Sequence, residues 1–289
     1  MKVDLCMWAL NGAKTLKPVL ERINRVIPES VVGQRLIVDD GSTDSTVDIA
    51  KACGWTVICN EGKGISDGAN TALKNVETEW FVSFEQDLLL ASDWWNSIQH
   101  YSRVVNVGAA SGVRYSSQPE SLFKLQKYVY KKYIGDGELP AWLRHRKPSS
   151  FTLGKTLDNT LWRKDAVLKA GGFPKLACNA GIDTVLAYKL FKAGFDWVVD
   201  YTVSSVHLRL GGFKQELLHE YGYAKSLNET WQALKGFGVP APSSVLGVAS
   251  RLVYSPFTGV FLSLKTGDPN LAWMHPLMRL NYLRGALAK

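Results

Sequence analysis

The chain has 289 residues, 46% of them hydrophobic and 21% charged, and a net charge of +8. That balance excludes a disordered or low-complexity chain and predicts one large globular domain carrying an appendage. The charge is uneven: residues 114–150 and 207–289 each carry +5 while the remainder is nearly neutral, a pattern that points to a polyanionic surface or substrate. No zinc finger, basic zipper or aromatic RNA-binding signature accompanies it, so nucleic acid is not an expected partner. The four cysteines show no paired metal spacing. Cys6 and Cys59 fall in apparent strands and read as reduced core thiols of a cytoplasmic protein.

Residues 3–9 are almost wholly apolar, as expected of a strand covered on both faces, and leave no room ahead of them for a signal peptide. Asn11-Gly12 breaks this strand, and a helix begins near Thr15, with Pro18 tolerated in its first turn. Leu36-Ile37-Val38 forms a short buried strand that ends in Asp39 and Asp40. A Gly-Ser turn follows, and Asp44 is suited to cap a helix over 44–53. A third strand over 55–59 leads to Glu61-Gly62-Lys63-Gly64, whose glycines permit close approach to a ligand while Lys63 adds positive charge. A helix through 70–76 precedes a fourth strand, 80–84, which runs into Glu85-Gln86-Asp87.

Strands alternating with helices predict a parallel, doubly wound sheet, and such sheets bind ligands beyond the carboxyl ends of their strands. Asp39 and Asp40 stand at one such end. Glu85 and Asp87 stand at another, and their alternate spacing puts both carboxylates on one side. Oxygen ligands of this kind suit Mg²⁺ or Mn²⁺ bridging a diphosphate; the plainer alternative is a solvated acid pair.

A further strand is expected over 107–114, then an amphipathic helix over 121–134 with Lys124, Lys127 and Lys131 along one side. Arg144-His145-Arg146-Lys147 adds a basic cluster. Either feature is a solvated face or a contact for phosphate or membrane. In the tail, a helix over 214–235 and a Gly/Pro linker over 236–242 precede an apolar segment, 243–264. Arg251 and Pro256 interrupt that segment, and its longest charge-free run is the thirteen residues 252–264, short of the ~20 a spanning helix needs. With Trp273, Arg279, Arg284 and Lys289 beyond it, this tail reads as an interfacial membrane segment or as a helical cap. In the membrane reading, removal of 243–289 is expected to leave the core intact.

Residues 157–174, ending in Gly171-Gly172-Phe173-Pro174, followed by Gly181-Ile182-Asp183 and Ala193-Gly194-Phe195, resemble glycosyltransferase family 2. Val38-Asp39-Asp40-Gly41-Ser42-Thr43-Asp44 and Glu85-Gln86-Asp87 resemble the same family, in order, so that the likeness covers about residues 3–210. It implies a GT-A fold, a Rossmann-like and mostly parallel sheet flanked by helices, over residues 1–212. The nucleotide-binding half would be 1–112 and the acceptor half 113–212, with 213–289 a helical, membrane-interfacial extension. It further implies a UDP- or GDP-sugar donor, Mn²⁺ or Mg²⁺, and inversion at the anomeric carbon.

By the same resemblance Asp39 reads the nucleotide base, and Asn11, Lys63 and Gly64 line the nucleotide. Asp40, Gln86 and Arg209 join the expected donor contacts. Glu85 and Asp87 occupy the family's DxD site, Asp87 as metal ligand, and His207 completes the metal site. Asp183 falls on the general base that deprotonates the acceptor hydroxyl; an acid flanked by Ile182 and Val185 is partly desolvated, which strengthens it as a base. Read from the residues alone, Asp183 can equally cap a helix starting near Thr184, and His207 can be an ordinary strand-end histidine.

The sequence also departs from the family. Trp8-Ala9-Leu10-Asn11-Gly12 replaces its usual opening, Glu85 replaces the first aspartate of DxD, and Ile182 stands where an acid often precedes the base. Motifs of the lipid-phosphate mannosyl synthases are absent after the DxD site. The expected acceptor is therefore a glycan or a polyprenyl-phosphate-linked acceptor, at the inner membrane face. A sugar-phosphate nucleotidyltransferase and a non-catalytic nucleotide-sugar-binding protein are the rival readings.

Overall fold

β1 (Val3–Ala9) is buried along its whole length because strands flank it on both edges and helices cover both faces. It pairs in parallel with β2 (Val32–Asp39) and β4 (Trp80–Glu85), and β2 pairs in parallel with β3 (Thr56–Cys59). The computed structural model describes residues 1–131, 155–176, 180–238 and 245–288. The basic cluster over 144–147 and most of the 236–242 linker lie outside them.

Between these strands run α1 (Leu16–Val26), α2 (Thr46–Ala52) and α3 (Gly64–Asn75). The last begins six residues before the helix expected from sequence. Asp67 in its first turn accepts the Lys63 amide at 3.0 Å, and Gly64 enters the helix with φ +73°, a conformation that favours glycine. Farther along the helix, a Cβ at Gly68 would stand 3.0 Å from Trp8 Cβ, so a glycine there lets the helix lie close on β1.

The doubly wound expectation holds for this half of the sheet only. Beyond β4 come β5 (Leu88–Leu89), β6 (Val107–Ser116), β7 (Asn159–Arg163) and β8 (Asp196–His207), in the sheet order β3-β2-β1-β4-β7-β6-β8-β5. β7 runs antiparallel to β4 and β6, and β5 antiparallel to β8. Short helices α4 (Trp94–Ile98) and α6 (Lys164–Lys169) and the longer α7 (Ile182–Lys192) accompany these strands; α5 is Glu120–Lys131. Three tryptophans of this half have their N–H groups satisfied: Trp162 Nε1 donates to Ser83 Oγ at 2.7 Å, Trp197 Nε1 to Ser111 Oγ at 3.0 Å and Trp94 Nε1 to the Asn159 carbonyl at 3.2 Å. That matters because an unpaired polar group in such a core costs on the order of 1–3 kcal/mol. Asp4, buried in β1, is likewise satisfied by the amides of Gln34, Glu77 and Thr78. Cys6 is a core thiol as expected, but Cys59 is exposed, because β3 is an edge strand.

The chain divides into two compact units. The first holds the described residues of Met1–Arg114, Ile134–Lys175 and Ile182–Leu208; the second holds those of Tyr115–Tyr133, Leu176–Gly181 and Arg209–Lys289. The second is helical: α5 (Glu120–Lys131), α8 (Gly212–Leu234), α9 (Val245–Thr266) and α10 (Leu271–Leu287). Its apolar centre joins Leu122 of α5 to Met274 and Met278 of α10, with Leu125, Phe213 and Leu217 against them. Lys124 is drawn into this unit by ion pairs with Glu120 at 3.0 Å and the buried Asp268 at 3.7 Å. The tail after residue 243 therefore supplies part of a core, and its removal would expose Leu122 and Phe213, contrary to the expectation of a dispensable segment.

Candidate active site

The loops after β1, β2 and β3 are built by side chains bonding to backbone. Asn11, at φ +49°, donates its amide to Ser42 Oγ at 2.9 Å and accepts the Thr43 amide on Oδ1 at 2.8 Å, locking the loop after β1 to the loop after β2. Asp44 accepts the Thr46 amide at 3.0 Å and the Ala13 amide at 3.1 Å, so from the position before the Ser45 N-cap it satisfies the first amide of α2 while holding a neighbouring loop. These bonds, the Thr46 hydroxyl's foremost, hold its pKa below the usual carboxylate value. Asp40 is committed to the 60–64 turn: Oδ1 accepts Asn60 Nδ2 at 2.9 Å, Oδ2 accepts the Gly64 amide at 3.0 Å, and the exposed Lys63 ammonium lies 3.8 Å from Oδ1. Asp39 differs. Its Oδ2 accepts the amides of Gly41 and Ser42 at 3.1 and 3.0 Å, while its Oδ1 is buried with no donor among the described residues. Gln86 bonds both ways with the Leu10 backbone, at 3.0 and 3.1 Å, and so clips the end of β1.

At the end of β4 the acids meet a histidine. β5 is only two residues long, but Leu88 pairs with His207 and the Leu208 amide donates to the Asp87 carbonyl at 2.7 Å. This brings His207 Nε2 to 2.9 Å from Asp87 Oδ2 and 3.9 Å from Glu85 Oε2. One ligand atom from each of Glu85, Asp87 and His207 lies within 4.8 Å of the others. Two carboxylates and an imidazole suit Mn²⁺, which accepts oxygen and nitrogen donors, and their oxygens suit Mg²⁺. Arg209, on the other side of the unit boundary, gives its amide to Ser117 Oγ at 3.0 Å and its guanidinium to His219.

Arg114, at the end of β6, has no counterpart among the expected site residues. One guanidinium nitrogen bonds Asp158 Oδ2 and lies 3.5 Å from Glu85 Oε2. Asp158 is wholly buried and also accepts from Thr156 Oγ1 at 2.5 Å and Asn159 Nδ2 at 3.1 Å. The only hint in the sequence is a basic residue closing an otherwise apolar strand.

Asp183 lies in the first turn of α7, where Oδ1 accepts the Thr184 amide at 2.7 Å. Part of its surface reaches solvent, yet its carboxyl is crowded by protein. That desolvation outweighs the Thr184 hydrogen bond and the attraction of Arg114 and raises its pKa above the ordinary carboxylate value. A carboxylate so placed binds a proton more strongly than one in water.

A parallel half, an antiparallel half and an acid–histidine cluster at the tip of β4 define the GT-A glycosyltransferase architecture. The sequence model described as Glycosyl transferase family 2 matches residues 4–161, more than half of the chain, and the protein belongs to that family. No curated protein matches the chain in sequence. Among solved structures, the mannosyltransferase PcManGT from Pyrobaculum calidifontis, in complex with GDP-Man and Mn²⁺, is similar with a TM-score of 0.66 at 17% identity, covering 99% of this chain and 87% of its own. Glucosyl-3-phosphoglycerate synthase from Mycobacterium tuberculosis, with Mn²⁺, UDP and glucosyl-3-phosphoglycerate, gives 0.55 at 14% identity over 83% of this chain and 81% of its own. S. aureus TarS 1-349 with UDP-GlcNAc gives 0.55 at 13% identity over 99% and 90%. At such identities the likeness establishes the fold.

Proposed function

We propose that this glycosyltransferase moves a sugar from a UDP- or GDP-sugar to an acceptor hydroxyl with inversion, with Mn²⁺ or Mg²⁺, and that the acceptor is a polyprenyl-phosphate-linked glycan at the cytoplasmic face of a membrane. The observation that carries the reading is the convergence of Glu85, Asp87 and His207 at the end of β4, in the same unit as the desolvated carboxyl of Asp183. Bound to those three residues, a divalent cation supplies the positive charge that a departing nucleoside diphosphate requires. Asp183 takes the proton from the acceptor hydroxyl as the new bond forms, and its raised pKa makes it the stronger base for that step. The unpartnered Asp39 Oδ1 is suited to accept an N–H of the donor's base. The basic helical second unit supports the membrane part of the reading.

Two substitutions test it, with nucleoside diphosphate release measured under added Mn²⁺ or Mg²⁺. Asp183→Asn keeps shape but cannot take a proton at neutral pH, so turnover is expected to fall by on the order of 10²–10⁴ with donor affinity nearly unchanged. Asp87→Ala is expected to remove the metal dependence of donor binding without unfolding the protein. Unchanged metal dependence would move the metal site elsewhere, and release of pyrophosphate by the wild-type protein would make it a nucleotidyltransferase.

A further inference from the structure

α9 has one packed face and one bare face, and the division follows from its sequence. Pro256 lacks the N–H that would bond the Leu252 carbonyl, and Ser255 Oγ takes that place at 2.6 Å, so the helix continues through the proline. The packed face is Ser255, Gly259 and Leu262. A Cβ at Gly259 would lie 2.7 Å from the Ala272 carbonyl oxygen, so only glycine lets α9 come so close to the start of α10. His275 Nδ1 bonds the Ser255 carbonyl at 3.2 Å across the same seam. The opposite face carries Val253, Phe257, Val260, Phe261 and Leu264 at helical spacing, and Phe257 and Leu264 are 76% and 80% exposed. Such a contiguous bare apolar stripe marks a contact surface.

Charge decides what covers it. Tyr254, Arg251 and Lys265 border the stripe on one edge, all exposed, and the Lys265 ammonium stands 5.7 Å from the Phe261 ring. Residues 245–288 hold four bases, Arg251, Lys265, Arg279 and Arg284, against the single acid Asp268, which is buried and paired with Lys124. A second copy docked on this stripe would set cations beside cations with no acid of the α9–α10 pair to answer them. An anionic lipid surface offers both the apolar layer and the complementary charge. No helix among the described residues is long and apolar enough to cross a membrane, so the contact is with the surface of the bilayer.

We propose that the outward face of α9 docks this protein on an anionic membrane, the helix lying in the interface with Phe257 and Leu264 among the acyl chains and Arg251 and Lys265 at the phosphates. α10, whose Leu271, Met274 and Met278 are buried, is structural. This rests on the membrane part of the function proposed above and not on the transfer chemistry. The test is co-flotation of the full-length protein at low salt with vesicles of phosphatidylcholine, alone or mixed with phosphatidylglycerol. Wild type is expected to float with the mixed vesicles only. Phe257→Asp with Leu264→Asp should weaken binding by at least about tenfold, and Arg251→Gln with Lys265→Gln by about fivefold per charge, each with an unchanged unfolding midpoint. Failure of the wild type to float would overturn the proposal, as would a dimer in light scattering that the Phe257→Asp and Leu264→Asp substitutions dissociate. Donor binding by the same samples in solution keeps the two readings separable: a protein that floats but binds no nucleotide-sugar contradicts the function proposed above and leaves this docking face standing.

Discussion

The tips of β2 and β4 both end in a pair of acids, and the fold uses the two pairs in opposite ways. Asp40 is taken up by the 60–64 turn and half of Asp39 by the Gly41–Ser42 turn, so that pair builds loops and keeps one bare oxygen. Glu85 and Asp87 are instead gathered against His207 and Arg114. Asp40 and Asp87 each lie just past the strand end, so the turns that follow decide which neighbours each carboxylate meets. Convergence alone would cost repulsion between like charges, and the cationic side chain and the imidazole beside them offset it.

The largest effect is expected where that offset is removed. Arg114→Met leaves the buried Asp158 carboxylate without its partner, and chemical unfolding should show a loss of about 3–5 kcal/mol. Arg114→Met combined with Asp158→Asn removes both charges and should recover most of it. Equal losses in the single and double variants would mean that the ion pair is not what holds these strand ends.

At the other tip, the contrast between Asp39 and Asp40 is sharpened by calorimetry with UDP and GDP. An Asn at position 39 must turn its NH₂ either toward the bare site or toward the Gly41 and Ser42 amides, so one acceptor is lost in any orientation. Affinity should fall by roughly tenfold, from an unsatisfied-group cost of about 1–3 kcal/mol. Asp40→Asn should leave affinity close to wild type and lower stability by about 1 kcal/mol. The reverse ranking would exchange their roles.

The smallest effect concerns Asp183 and pH. Its folded-state pKa is raised above an unfolded value near 3.9, so the folded protein binds the proton more tightly. Its contribution to stability is full below about pH 4 and is lost as pH rises through the folded value. Asp183→Asn abolishes this decline. Its melting point should therefore exceed the wild-type value at pH 7–8 and approach it in acid, even as turnover collapses. A variant less stable than wild type at neutral pH would instead assign the Thr184 contact the larger role.

The sequence by itself determined the parallel half. Runs such as Val3–Ala9 and Leu36-Ile37-Val38, separated by Gly-rich turns and helical stretches, specify local structure through neighbours a few residues apart, and the acids at their ends are legible for the same reason. It also carried the family resemblance, which the match over residues 4–161 bears out. Only the tertiary structure decided the rest. β5 was hidden because it is two residues long and has no pattern of its own; it exists because β8 pairs with it, and that pairing is what brings His207 to Asp87. Arg114 gained its place from a buried aspartate far along the chain. The tail's charge-free run was visible, but which of its residues are bare was settled by Gly259 and Ser255 fitting against α10, a contact no local spacing encodes.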